Sequence, residues 1–359
     1  MDYLIKGFLT TSSPIHISSG EKTTKSRGKY VSTTHAPIIA NGRKCEIPVV
    51  NSGTLRGGLR RAASDLIFEA CHAHGVRMDS ATLNTLRHGA TNAAIARSEA
   101  RSSDFKEIYN NPHMGIFGGG PVMAAGFLQI GRLYPVCAET LAAGLVPSSH
   151  HDTELEGWQI TDTTTGYPKI DMIKSPEDRF AEFATDHDES VDMILSADLG
   201  RRAKKGDKPV TDGAEVEPEQ SSKLRSSNII SYEWILPGSV FYLDVSLRPT
   251  PSGRPTDVHA GYLIEALCNY FNNHRVGGIR REGFGAFNLN SIAENVTIND
   301  ELLFDVHAGT LIPAPGLAED LVQAYHTWAN NGEAWSVEEL SRATGIAVAK
   351  RGRPAKVAA

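Results

Sequence analysis

The apolar residues of this chain change period in a fixed order, and that order constrains the fold more than any single motif. Residues 1–19 open with Tyr3-Leu-Ile-Lys-Gly-Phe-Leu9 and continue through Pro14-Ile-His-Ile17, a half-alternating, β-rich pattern that predicts a strand. From Leu55 the period lengthens. Leu55, Leu59, Ala62, Leu66 and Ala70 recur at steps of three and four and make one apolar helical stripe, which Ser52 or Thr54 can cap. Alternation returns after a Pro237-Gly238 turn, with Val240, Tyr242 and Asp244 set against Phe241, Leu243 and Val245. Gly261–Phe271 fits a second helix, and the glycine-rich stretch Gly277–Phe287 runs into another strand. The order β, helix, middle region, β, helix, β lacks the repeated βα alternation of doubly wound sheets. It predicts an α+β fold, an antiparallel sheet with helices on one face, on the ferredoxin-like plan.

Polar segments interrupt this order. Residues 20–46 read as a long exposed loop or hairpin, and residues 147–228, rich in Asp, Glu, Ser, Thr and Lys, as an insertion with a flexible tip. Residues 317–359 are expected to be a helical segment, with a capping box at Ser336–Glu339, followed by a basic tail at Lys350–Lys356. The chain of 359 residues is therefore expected to be one elaborated core with insertions. The start, Met1-Asp-Tyr-Leu-Ile-Lys6, does not read as a signal peptide, and no apolar run approaches the ~18 residues of a membrane span. Four widely separated cysteines without a C-x-x-C pair fit a reducing cytoplasm and give no zinc or disulfide framework.

The net charge of -6 hides a segregation. Residues 1–61 hold ten Lys/Arg against three acids, and residues 150–200 hold thirteen acids against three bases. A local basic face can hold phosphates while a distant acidic lobe sets the total; solvated surfaces of both signs are the alternative.

The segment Asn51-Ser-Gly-Thr-Leu-Arg-Gly-Gly-Leu-Arg-Arg61 carries the most specific chemistry. Arg56 and Arg60 are four apart and share a helix face, and Arg61 flanks it. Free amides and the positive end of the helix dipole fall at residues 52–56, where Gly53, Gly57 and Gly58 leave room for a ligand backbone. This combination suits phosphate; the alternative is a surface helix whose glycines permit close packing. Two further loops, Gly118-Gly119-Gly120 and Gly277–Gly285 with Arg280 and Arg281, are turns or phosphate cradles on the same grounds. Neither contains a nucleotide-binding fingerprint.

Taken in order, these segments resemble the RAMP superfamily of CRISPR effector proteins. The stretch Pro48 to Arg60 is similar to that family's I-P-G-S-S-L-K-G-x-x-R segment, and Gly115-Ile-Phe-Gly-Gly119 resembles its LFG segment. Ile235-Leu-Pro-Gly-Ser-Val-Phe-Tyr-Leu-Asp244 resembles its V-P-x-G-x-x-F strand entry, and Gly277-Gly-Ile-Arg-Arg-Glu-Gly-Phe-Gly285 its C-terminal GG…GFG loop. The set spans residues 46–287 and is most similar to the crRNA-binding backbone subunits, of the type IV kind. The resemblance implies a modified RRM-like fold with a thumb hairpin in the insertion, and copies stacked head to tail along one crRNA. It further implies partnership with other CRISPR effector subunits and with target nucleic acid, expected to be DNA, paired to the guide. No cofactor, metal or membrane is implied.

The expected RNA contacts are Ser52, Thr54, Arg56, Arg60 and Arg61, with Gly118, Gly119, Gly120, Arg280 and Arg281 nearby and Lys223 and Arg225 from the thumb. Target-cutting relatives carry an Asp in the loop before the first segment. Here the loop Ile17–Ile47 has only Glu21 and Glu46 as acids, so a non-catalytic scaffold is expected. A RAMP endoribonuclease using His16 or His35 as general acid/base is the alternative. The pairs His150-His151 and His72-x-His74 lack a second ligand cluster, and Arg351-Gly-Arg-Pro354 reads as a solvated tail rather than a minor-groove hook.

Overall fold

The structure is a computed structural model, and it describes residues 2–25, 28–78, 80–89, 102–120, 123–148, 154–166, 230–279, 283–331 and 334–344. The chain divides into two compact units. The first comprises residues 1–19, 32–162 and 233–359, and the second residues 20–31 and 163–232.

Along the chain, β1 (Tyr3–Thr10), β2 (Ser18–Lys25), β3 (Gly28–Thr33), β4 (His35–Ala40) and β5 (Arg43–Pro48) lead into α1 (Ser52–Ala73). Then come α2 (Ser80–His88), α3 (Ser102–Asn110), α4 (Pro112–Phe117), β6 (Leu128–Ile130), β7 (Tyr134–Pro135) and α5 (Ala138–Ala142). A short 3-10 turn at Gly157–Ile160 precedes β8 (Thr161–Gly166); β9 (Ile230–Ile235), β10 (Val240–Leu247) and α6 (Asp257–Asn273) follow. The chain continues through α7 (Leu289–Asn295), β11 (Thr297–Ile298), β12 (Glu301–Leu302), β13 (Phe304–His307) and β14 (Thr310–Pro313). The last described helices are α8 (Leu317–Ala329) and α9 (Val337–Thr344).

The central sheet of the first unit has the order β12-β11-β1-β10-β6, with β7 also on β10, and these neighbours pair antiparallel. With α1 between β1 and β6, and α6 between β10 and β11, this is the ferredoxin-like order expected from the sequence. The β1–β10 ladder runs from Tyr3↔Leu247 to Thr10↔Val240 and sorts the two faces. Tyr3, Ile5 and Leu9 point with Leu247, Val245 and Phe241 into the main core, which α1 and α6 share. On the opposite face Phe8 and Tyr242 meet with ring centroids 5.6 Å apart and join Val136 and Val146 in a smaller cluster.

Close approach explains two of the glycines. A Cβ on Gly7 would stand 2.3 Å from the Asn295 carbonyl oxygen, where α7 hands over to β11. A Cβ on Gly58 would strike the Tyr270 ring at 2.6 Å, so this glycine lets α1 lie against α6. The Asn269 side-chain amide fastens the same crossing by donating to the Ala62 carbonyl at 2.8 Å.

The segment expected to be a long exposed loop or hairpin, residues 20–46, is largely strand. β4 and β5 form a hairpin from His35↔Pro48 to Ala40↔Arg43, turned at Asn41-Gly42 with both φ values positive (48° and 74°). In the second unit the sheet order is β2-β3-β9-β8, with β3 and β9 parallel from Lys29↔Ile230 to Val31↔Tyr232. Residues 167–229 lie outside the described residues, and with them the thumb, Lys223 and Arg225. Arg280, Arg281, the pair His150-His151 and the basic tail also lie outside them. Ser336 does cap α9, its hydroxyl accepting from the Glu339 amide at 3.2 Å. Among the described residues no helix is long and apolar enough to cross a membrane.

Candidate nucleic-acid interface at the start of α1

A short bridge presents the first turn of α1. Val50 and Leu133 exchange backbone hydrogen bonds of 3.2 and 3.0 Å, which fixes the chain just before Asn51 begins the helix. Asn51, rather than Ser52 or Thr54, is the N-cap, and its side chain makes no capping bond. Its carbonyl accepts from the Thr54 and Leu55 amides. The Ser52 and Gly53 amides have no acceptor among the described residues. A 22-residue helix therefore begins with an open end and with no acid in its first turn. Nothing stands within 4 Å of where a Gly53 Cβ would be.

The three arginines of this segment take different roles. Arg60 is 7% exposed and points inward. Its Nε donates to the Leu86 carbonyl (2.7 Å) and its Nη2 to those of Thr85 (2.8 Å) and Gly118 (3.1 Å). The guanidinium also lies 5.6 Å from the Phe117 ring centroid. Burial, and after it the charge of Arg56, lower the Arg60 guanidinium to about 10. Arg56 donates to the carbonyls of Leu128 and Phe117, both at 2.8 Å. Arg61 turns back along the helix instead, its Nη1 3.6 Å from where a Gly57 Cβ would stand.

These positions correct the expected contact set. Arg60 does not suit phosphate contact, because reaching one would strip buried carbonyls of their donors. The amides of Gly118, Gly119 and Gly120 are likewise occupied, by the carbonyls of Met114, Ala124 and Gly89. All three glycines have positive φ, and a Cβ on Gly118 would sit 2.2 Å from the Ala124 oxygen, so this loop is a tight turn and not a cradle. The first two sequence segments nonetheless meet: Arg56 and Arg60 staple the start of α1 to the Phe117-Gly118 backbone.

Arg132 was not singled out by any motif. It is exposed and directly precedes Leu133, the residue bridged to Val50 at the helix start. Only the long-range bridge reveals it, since its own neighbourhood in sequence is unremarkable.

The other two segments converge on the chain after β1. Ile15 bridges Ile235, the Ser12 amide donates to the Ala286 carbonyl, and the Gly278 amide to that of His16. Here the two candidate histidines share a partner, Glu233. The His35 Nε2 is 3.4 Å from its carboxylate, and the His16 Nδ1 donates to its carbonyl at 2.7 Å. The Thr33 amide holds the other carboxylate oxygen at 3.0 Å. His16 is buried, and His35 is about a quarter exposed at its side chain (26%). Among the described residues no group of three or more His, Cys, Asp or Glu side chains is placed to hold a metal.

No family model and no curated protein sequence matches this chain. Among solved structures, a chain of a "Type IV-B CRISPR Complex" superposes with a TM-score of 0.42 at 13% sequence identity, over 89% of this chain and 96% of that one.

Proposed function

We propose that this chain is a non-catalytic, crRNA-binding backbone subunit of a type IV CRISPR ribonucleoprotein effector. In this reading copies stack head to tail along the guide beside other effector subunits, and DNA pairs to that guide. The observation that carries the RNA-binding part is the open start of α1, uncapped and free of acids, with Arg61 laid back toward it and Arg132 beside its bridge. Phosphate oxygens would accept from the Ser52 and Gly53 amides, and the two cations would add affinity without reading bases. The family assignment rests on the four ordered segments together with the ferredoxin-like sheet.

The test is the salt dependence of binding for two unrelated single-stranded RNAs of equal length. Replacing Arg61→Ala and Arg132→Ala should weaken both RNAs alike and flatten the slope of log K against log salt by about 1.4, two contacts at roughly 0.7 each. An unchanged slope contradicts the assignment.

The Glu233 cluster favours a second reading, an endoribonuclease with the His35–Glu233 pair as its acid/base machinery. Incubation with labelled crRNA precursor, with and without Mg²⁺, separates the two. The scaffold leaves the precursor intact; discrete cuts that vanish in His35→Ala establish the enzyme.

A further inference from the structure

A second site lies elsewhere in the first unit. The end of α3, the turn between β10 and α6, and the end of α8 enclose a cleft of about 680 Å³. None of its lining residues belongs to α1. The volume is that of a small-molecule site.

Aromatic rings form one side of the cleft. Tyr109 stacks on Phe105 with centroids 6.5 Å apart and planes at 21°, and on Phe127 behind it at 5.0 Å and 25°. Gly253 keeps the turn against these rings, since a Cβ there would meet Tyr109 at 2.9 Å. Trp328, half-buried, lines the cleft from α8. His259 ties the walls together: its Nε2 donates to the Tyr109 carbonyl at 3.0 Å, and its Nδ1 accepts from the Thr256 hydroxyl at 2.7 Å. Burial lowers this imidazole to about 4, so it is neutral at pH 7 and adds no charge to the cleft.

The charges that line the cleft among the described residues are of one sign. Lys106 and Arg254 are both exposed, and neither has an ion pair or hydrogen bond among the described residues. Among the described residues no carboxylate lines the cleft. Asp257, at the start of α6, is engaged elsewhere by the Tyr3 hydroxyl at 2.5 Å.

Rings without cations would suit an apolar ligand, and cations without rings would suit any anion. Both together, with no acid, match a planar base joined to a phosphate. We propose that this cleft binds one nucleotide unit, its base against the Tyr109, Phe105 and Trp328 side and its phosphate against Lys106 and Arg254. The inference does not depend on the α1 interface. The nucleotide comes either free or as one residue of an RNA strand.

The experiment is calorimetric titration of the full chain, stripped of nucleic acid at high salt, with AMP, adenosine, inorganic phosphate and an adenosine tetranucleotide. It is run on the unaltered chain, on Lys106→Ala/Arg254→Ala, and on Arg61→Ala/Arg132→Ala, with thermal melting to confirm that each variant is folded. AMP should bind at least tenfold more tightly than adenosine or phosphate. That binding should fall at least tenfold in Lys106→Ala/Arg254→Ala and persist in Arg61→Ala/Arg132→Ala. A tetranucleotide that binds more tightly than AMP, with the same sensitivity to Lys106 and Arg254, assigns the nucleotide to a strand; one that binds no better assigns it to a free ligand. The proposal is overturned if neither AMP nor the tetranucleotide binds, if binding is indifferent to Lys106 and Arg254, or if phosphate alone binds as well as AMP.

Discussion

Arg60 shows how far a residue type can be read without its surroundings. Its four-residue spacing from Arg56 and its place on α1 are evident in the sequence, and both arginines do lie where the helix meets another segment. The direction of the guanidinium is not evident, because its acceptors Thr85, Leu86 and Gly118 come from chain 25, 26 and 58 residues away. Arg60→Ala should therefore act on stability. With several buried carbonyls losing a donor, denaturant unfolding should show a loss of about 3 kcal/mol, while the salt slope of RNA binding stays unchanged. A normal unfolding midpoint with a flattened slope would return Arg60 to the RNA.

The same division holds within α1 as an element. Its apolar stripe is legible in part: Leu55, Leu59 and Ala62 are fully buried and Leu66 and Ala70 half-buried, while Ile67, outside that stripe, is fully buried. Its glycines look equivalent in sequence but differ in the fold: Gly58 is pressed against Tyr270 and Gly53 faces open space. That contrast yields a discriminating substitution. Gly53→Asp adds a carboxylate to a first turn that has none, which should raise helix stability by about 0.3–1 kcal/mol, with the loss of a helical glycine adding to it. The same carboxylate repels phosphate, so RNA affinity should fall as the melting temperature rises. Stability and affinity rising together would place the RNA elsewhere.

At the scale of the whole molecule, the changes of apolar period were enough to give the antiparallel sheet and its helices, because strand and helix periods reflect which faces are buried. They were not enough to give the division of the chain. Residues 20–31 read only as a polar loop or hairpin because their pairing partners include β9, about two hundred residues away in sequence. The convergence of His16, His35 and Glu233 was hidden for the same reason, as were the cleft's two cations, Lys106 and Arg254.

If the first unit holds RNA by its backbone at the start of α1, the nucleic acid that the protein carries out of cells will depend on that site. RNA extracted after purification at low salt is sized on a denaturing gel, for the unaltered chain and for Arg61→Ala/Arg132→Ala. RNA of mixed sequence should accompany the unaltered chain and be markedly reduced with the double variant. Protein free of nucleic acid, or equal amounts of RNA on both chains, would contradict it.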